Sequence, residues 1–189
     1  MKHVVARILL AFGIIASVAG SAMAQHGPRT APPEPATKVV ETAVKRAKAE
    51  NKTVWVDFGA SWCGWCRKLE AFLAAPEVKD IIEKHYLIVP LTVMESANKK
   101  ALENPGGEDV MKELGGDGVG LPFYAFLDGS GTKIANSLAM PNGSNIGFPA
   151  NPSELDAFVS LIERTAPSLA SAERERLVAY LNKVVPTKK

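Results

Sequence analysis

Two hydrophobic periods alternate along the chain, and they divide it into helices and strands. Residues 37–51, TKVVETAVKRAKAEN, place Val39, Val40, Ala43, Val44 and Ala47 on one stripe of helical period. Residues 53–60, TVWVDFGA, form a short run of β-branched and aromatic residues ending in glycine, the pattern of a buried strand. After Cys66, RKLEAFLA returns to helical spacing with Leu69, Phe72 and Leu73. PEVKDIIEKH follows, as a helix opened by Pro76 or as a kinked extension of the one before. YLIVPLTV, residues 86–93, predicts a strand, and Pro90 gives it an edge position or a bulge because proline cannot donate to a ladder.

The second half is less regular. Residues 95–120 make a long excursion, with a weak helical pattern at Val110, Met111 and Leu114 and a glycine-punctuated GGDGVG after it. DGSG, residues 128–131, reads as a hairpin turn between strands. Residues 138–152 form a loop rich in glycine, proline and asparagine. SELDAFVSLIERTA, residues 153–166, is a helix whose buried face holds Leu155, Phe158, Leu161 and Ile162. Pro167 stops it, and ASAERERLVAYLNKVV gives one further helix.

The N-terminus follows neither pattern. Lys2 and Arg7 precede an apolar run, ILLAFGIIASVA, and Ala22-Met23-Ala24 then offers small residues. This is the layout of a secretory signal, and the run is short of the ~20 apolar residues that span a bilayer. Residues 1–24 are therefore expected to be a signal peptide cleaved near Ala24, with an uncleaved anchor as the alternative. The expected location is periplasmic or secreted. Residues 25–36, QHGPRTAPPEPA, read as a proline-rich linker. Loss of Lys2 and Arg7 leaves 20 basic residues against 20 acidic ones. Such a balance argues against nucleic acid, which would call for a basic face. At 47% hydrophobic and 22% charged, the rest has the composition of one globular domain.

Export changes what the two cysteines mean. Cys63 and Cys66 are the only two in the sequence. A bridge across two intervening residues closes a very short loop and removes little unfolded-state entropy, so it is a poor staple. Haem attachment would need histidine at position 67, which is Arg67; a structural zinc site would need two more ligands. Reversible redox chemistry suits the spacing, with a two-thiolate copper(I) site as the alternative. The cysteines fall between the end of a predicted strand and the start of a predicted helix. Cys63 is thus expected at a helix N-terminus, where free amides and the helix dipole favour a thiolate. Cys66 is expected one turn further in.

VDFGASWCGWC resembles the active-site segment of the thioredoxin-like family, and GVGLPFYAFLDGSGTKI, residues 118–134, resembles its proline loop, strand, turn and strand. The resemblance covers roughly residues 38–165. It implies an α/β thioredoxin-like fold, with a central mixed sheet of about four strands flanked by helices. The domain would span residues 37–166, with an extra C-terminal helix in 167–189. No strand precedes residue 37, so the sheet is expected to be trimmed, with residues 86–93 at an edge.

The same resemblance implies a thiol-disulfide oxidoreductase of the reductase or interchange type. Cys63 would be the nucleophile, Cys66 the resolving thiol and Asp57 the buried proton acceptor. Trp62, Trp65, Leu121 and Pro122 would contact substrate, with the Leu121–Pro122 bond cis. No metal or organic cofactor is implied, since the Cys63–Cys66 disulfide carries the electrons. Partners would be protein disulfides or dithiols, and a membrane or exported thiol protein. Two departures stand out. No lysine occurs in LIVPLTV to accompany Asp57, and Gly64-Trp65 replaces the usual Gly-Pro. A thioredoxin-fold binding protein with an incidental disulfide remains the competing reading.

Overall fold

A computed structural model describes residues 31–185. The signal-peptide reading and the first half of the linker, residues 25–30, lie outside the described residues. The linker's last residues are packed rather than free. The Glu34 carbonyl accepts from Asn104 Nδ2 at 2.9 Å, and Ala36 N–H donates to the Pro105 carbonyl at 2.9 Å. Ala36 is fully buried and opens α1, Ala36–Glu50.

β1, Thr53–Gly59, is buried at every position. It is the hub of a four-stranded sheet ordered β2-β1-β3-β4, where β2 is Tyr86–Thr92, β3 Phe123–Leu127 and β4 Lys133–Asn136. β1 runs parallel to β2 and antiparallel to β3, and β3 runs antiparallel to β4. The mixed sheet of four strands therefore stands as expected, with the Pro90 strand at its edge. A central strand covered on both faces must be apolar on both, which is why TVWV reads as a continuous run rather than an alternation.

The helices divide between the faces. Val54, Val56 and Phe58 point into one cluster with α1 and with α4, Gly107–Glu113. Trp55 points into the other, with α2, Gly64–Ala74; α3, Lys79–His85; α5, Pro152–Thr165; and α6, Ser171–Val184. Its ring sits 5.3 Å from those of Tyr86 and Tyr124 and 4.7 Å from Phe126. Each such aromatic buries a large apolar area, and pairs at these spacings add ring–ring attraction.

Of two neighbouring boundaries, one stands where RKLEAFLA ends and the other shifts, each for a local reason. α2 stops at Ala74 because Ala75, the residue before Pro76, is extended (ψ 127°). α3 starts only at Lys79, so Pro76 introduces a turn, not a helix. The C-terminal helix is no appendage: Leu177 and Leu181 are buried in the same cluster as Trp55. Among the described residues no helix is long and apolar enough to cross a membrane.

Candidate redox site

The site forms where β1 ends and α2 begins. Cys63 is the N-cap of α2 in extended conformation, and Cys66 lies in the first turn. The two are joined in a disulfide with Cα atoms 5.3 Å apart. Cys66 N–H, one of the amides a helix start leaves free, donates to Cys63 Sγ at 3.1 Å. Cys63 keeps a sliver of exposure at 3%, whereas Cys66 is sealed at 0%. A thiolate on Cys63 would thus meet an amide donor and the positive end of the helix dipole, and Cys66 would meet neither solvent nor a second donor of this kind.

Asp57 is 1% exposed. Side chains alternate along β1, so Asp57 shares the face of Trp55, beneath the helix that carries Cys66. It stands opposite Tyr124 in β3. Burial, and then the Asp57 charge, hold the Tyr124 phenol well above its usual range.

The structure brings Trp65, Leu121 and Pro122 together around a cavity of about 270 Å3, also lined by Asn145, Phe148 and Glu154. The Leu121–Pro122 bond is cis. Trp62 is not part of this cavity. It lies on the other side of the loop, where its Nε1 donates to the Met94 carbonyl at 2.8 Å. Both tryptophans are well exposed, at 53% for Trp62 and 43% for Trp65. The Lys68 ammonium sits 3.9 Å over the Trp65 ring.

Two groups absent from the sequence reading fasten this site. Glu95 is 4% exposed; its carboxylate accepts from Ser61 N–H at 2.5 Å and Ser61 Oγ at 2.9 Å. It pins the loop that precedes Cys63. Asn145 Nδ2 donates to the carbonyls of Gly120, at 2.8 Å, and Pro122, at 2.9 Å, and so clamps the 138–151 loop to the proline loop. Glu95 carries no local signal. The 138–151 loop does: Ile146 and Phe148, two apolar residues spaced by one in a polar stretch, are both buried.

A larger cavity of about 500 Å3 lies between residues 31–34, α1 and the β2 edge, away from both cysteines. Size alone does not make it the site, because none of the groups with redox or acid-base chemistry described above lines it. Among the described residues no group of three or more His, Cys, Asp or Glu side chains could hold a metal ion.

No curated protein matches the chain by sequence. Among solved structures it is similar to a disulphide isomerase from Xylella fastidiosa Temecula1, with 18% identity and a TM-score of 0.50 over 86% of this chain and 98% of that one. A DsbH oxidoreductase shares 19% identity, with a TM-score of 0.44, over 79% of this chain and 95% of its own. The C-terminal domain of DsbD from Neisseria meningitidis shares 23%, with a TM-score of 0.38, over 55% and 84%. The first likeness extends the shared architecture over most of the described residues. A family model described as thioredoxin-like matches residues 36–129. The hub strand, the disulfide helix and the strand after Pro122 all fall within that span, and the chain belongs to the thioredoxin-like family.

Proposed function

We infer that this protein is an exported thiol-disulfide oxidoreductase that exchanges disulfides with protein substrates through Cys63 and Cys66. The observation that carries the reading is the disulfide itself: it sits at a helix N-terminus, with Cys66 N–H on Cys63 Sγ. A bridge this short adds little stability, so its placement where a thiolate is favoured speaks for chemistry.

In the reducing direction the Cys63 thiolate attacks one sulfur of a substrate disulfide. A Cys63–substrate bond forms, the substrate S–S bond breaks, and the other substrate sulfur leaves as a thiolate that takes up a proton. Cys66 then loses its proton to Asp57 and attacks Cys63 Sγ. The internal disulfide forms, and the second substrate thiol is released. Two electrons pass from the pair to the substrate, and a reduced dithiol protein of the envelope must return them. In the oxidising direction every step reverses. Trp62 and Trp65 flank the reacting sulfurs as apolar surface for an unfolded or flexible polypeptide.

The test is a trapping experiment. Cys66→Ser should accumulate a covalent mixed disulfide with partners, because nothing resolves it. Cys63→Ser should reduce no disulfide and trap nothing. Adducts on Cys63→Ser alone would reverse the two roles, and an inactive parent that traps no partner would leave a binding protein.

A further inference from the structure

The cysteine loop carries charge that the attack and release steps do not call for. Three cations close on it from two elements. Arg67, on α2, donates from Nη1 to the Ser61 carbonyl at 3.1 Å. Its Nη2 lies 3.8 Å from the point where a Cβ on Gly64 would stand. The guanidinium therefore reaches across the loop, from two residues before Cys63 to the residue after it. Lys99 comes from a short 3-10 helix, Ala97–Leu102, and its Nζ donates to Ser61 Oγ at 3.2 Å. Lys68 completes the set, with Nζ 3.9 Å over the ring of Trp65, the residue before Cys66.

No carboxylate neutralises these groups. Arg67, Lys68 and Lys99 form no ion pair among the described residues, whereas Lys84, Lys100 and Arg176 are each held by one. Their bonds go to a carbonyl, a hydroxyl and a ring, none of them charged. All three are exposed. The nearby carboxylates are turned inward or tied down. Glu95 meets Ser61 from within the fold, at 4% exposure. Glu70 is half-buried on α2, and Glu154, beyond Trp65, is half-buried and accepts from Ala150 N–H. The charge facing solvent beside Cys63 is thus positive. Residues 25–189 hold 20 basic and 20 acidic residues, so this excess is local and not a property of the whole chain.

A guanidinium with spare N–H donors matches a carboxylate in shape as well as charge. Each cation already rests against the loop, so less side-chain freedom is lost when an acidic group arrives. We propose that Arg67, Lys68 and Lys99 form a cationic collar that recruits polypeptide partners whose reacting cysteine is flanked by acidic side chains. The collar rests on the oxidoreductase reading and adds a charge preference to it. The same cations also favour a thiolate on Cys63, an effect that is equal for every partner.

The probes are capped peptides whose single cysteine is in disulfide linkage to 4-thiopyridine, which is uncharged near neutral pH. Both residues beside the cysteine are aspartate, asparagine or lysine. Attack of the reduced protein's Cys63 thiolate on the peptide sulfur breaks the probe's S–S bond and releases coloured 4-thiopyridone. Each second-order rate constant is divided by that for 2-mercaptoethanol on the same probe, which removes the peptide's own reactivity. At ~0.01 M salt, where charges act over about 30 Å, the aspartate peptide should react about ten-fold faster than the asparagine one, and the lysine peptide slower. At ~1 M salt, where that reach falls to about 3 Å, the three rates should converge.

Arg67→Gln combined with Lys99→Gln should bring the aspartate-to-asparagine ratio close to one, and Lys68→Gln should lower it part way. Lys48→Gln, in the last turn of α1, removes one charge far from the loop in sequence and should keep the parent's ratio. A ratio near one in the parent at low salt, with the probes still reduced, would overturn the collar and leave the oxidoreductase reading standing. If the double variant slows all three peptides by one factor and keeps the ratio, the cations act on the Cys63 thiolate alone and the collar is overturned. It is overturned as well if Lys48→Gln abolishes the ratio, because net charge and not position would then set it. If the parent reduces no probe, the oxidoreductase reading falls and the collar with it.

Discussion

The end of the sheet near the disulfide and the seam between α3 and α6 are both built around buried ionisable groups, yet they hold different things. At the seam, His85 is 5% exposed and lies between Glu173 Oε2, 2.9 Å from Nε2, and Ser168 Oγ, 3.2 Å from Nδ1. A carboxylate can only accept, so Nε2 carries the proton of the first bond. Lys84 adds a bond to Glu173 at 2.6 Å, and Ala170 N–H another at 2.9 Å. Every one of these bonds ends on α3, α6 or the turn between α5 and α6. Near the disulfide, Glu95 ends on Ser61, two residues before Cys63, and the neighbouring Met94 carbonyl holds Trp62. Asp57 lies under the helix that carries Cys66. The chemical ingredients match, but what they fasten differs: a helix in one place, a reacting loop in the other. A Ser–His–Glu cluster is therefore no evidence of catalysis here, whereas a plain carboxylate beside the cysteine loop is expected to affect rate under the proposed function.

That contrast is testable by separating rate from stability. The largest effect is expected from Asp57→Asn. It should slow release of the mixed disulfide by roughly 10²-fold, the usual contribution of a positioned proton acceptor, while the first attack by Cys63 proceeds. Global stability should not fall, because the change removes a buried charge and keeps the shape. Rapid-quench measurement of both steps decides it, and a slowed first step with an unchanged second would contradict the assignment.

Glu95→Gln should act on both quantities. The amide keeps one acceptor but turns a donor toward Ser61, where N–H and O–H both need an acceptor. A loss of about 1–3 kcal/mol in denaturant unfolding is expected. Exchange should also slow several-fold, because the loop bearing Trp62 and Cys63 loses its tether. A stability loss with unaltered rate would make Glu95 equivalent to the seam groups and erase the contrast.

How far the sequence reveals these parts follows from their separation along the chain. The cysteine helix, the hub strand and the Pro90 edge were legible because each depends on neighbours a few residues away: an N-cap with its amide at three residues, a run of seven, a single missing donor. The fastenings were not legible. Glu95 meets Ser61 across 34 residues, Asn145 meets Gly120 across 25, and His85 meets Glu173 across 88. A single polar residue in a loop carries no periodicity, so nothing local announces which distant backbone it will hold. The C-terminal helix shows the same limit. Its apolar stripe predicts a helix, but not that Leu177 and Leu181 complete the Trp55 cluster.

The seam gives the smallest expected effect, and one confined to stability. Glu173→Gln should cost about 1–2 kcal/mol, since several donors lose a charged acceptor at a partly exposed position, and exchange rates should not change. The pH dependence identifies the group. Hydrogen bonds from Lys84, Ala170 N–H and His85, in that order, lower the Glu173 carboxyl from its ordinary 4.5 to about 2. A carboxyl depressed on folding stabilises the protein fully above its unfolded value, and the contribution disappears as the proton returns. The parent should therefore lose stability between about pH 4.5 and 2, and Glu173→Gln should flatten that stretch. Asp80 is also lowered, by Arg176, but it is exposed and contributes little to the slope. Amide hydrogen exchange resolves where the loss occurs. In Glu173→Gln, protection should fall in α6 and α3 and stay unchanged in α2. Loss of protection around Cys63 in that variant would show that the seam and the redox loop are one cooperative unit and not two separable regions.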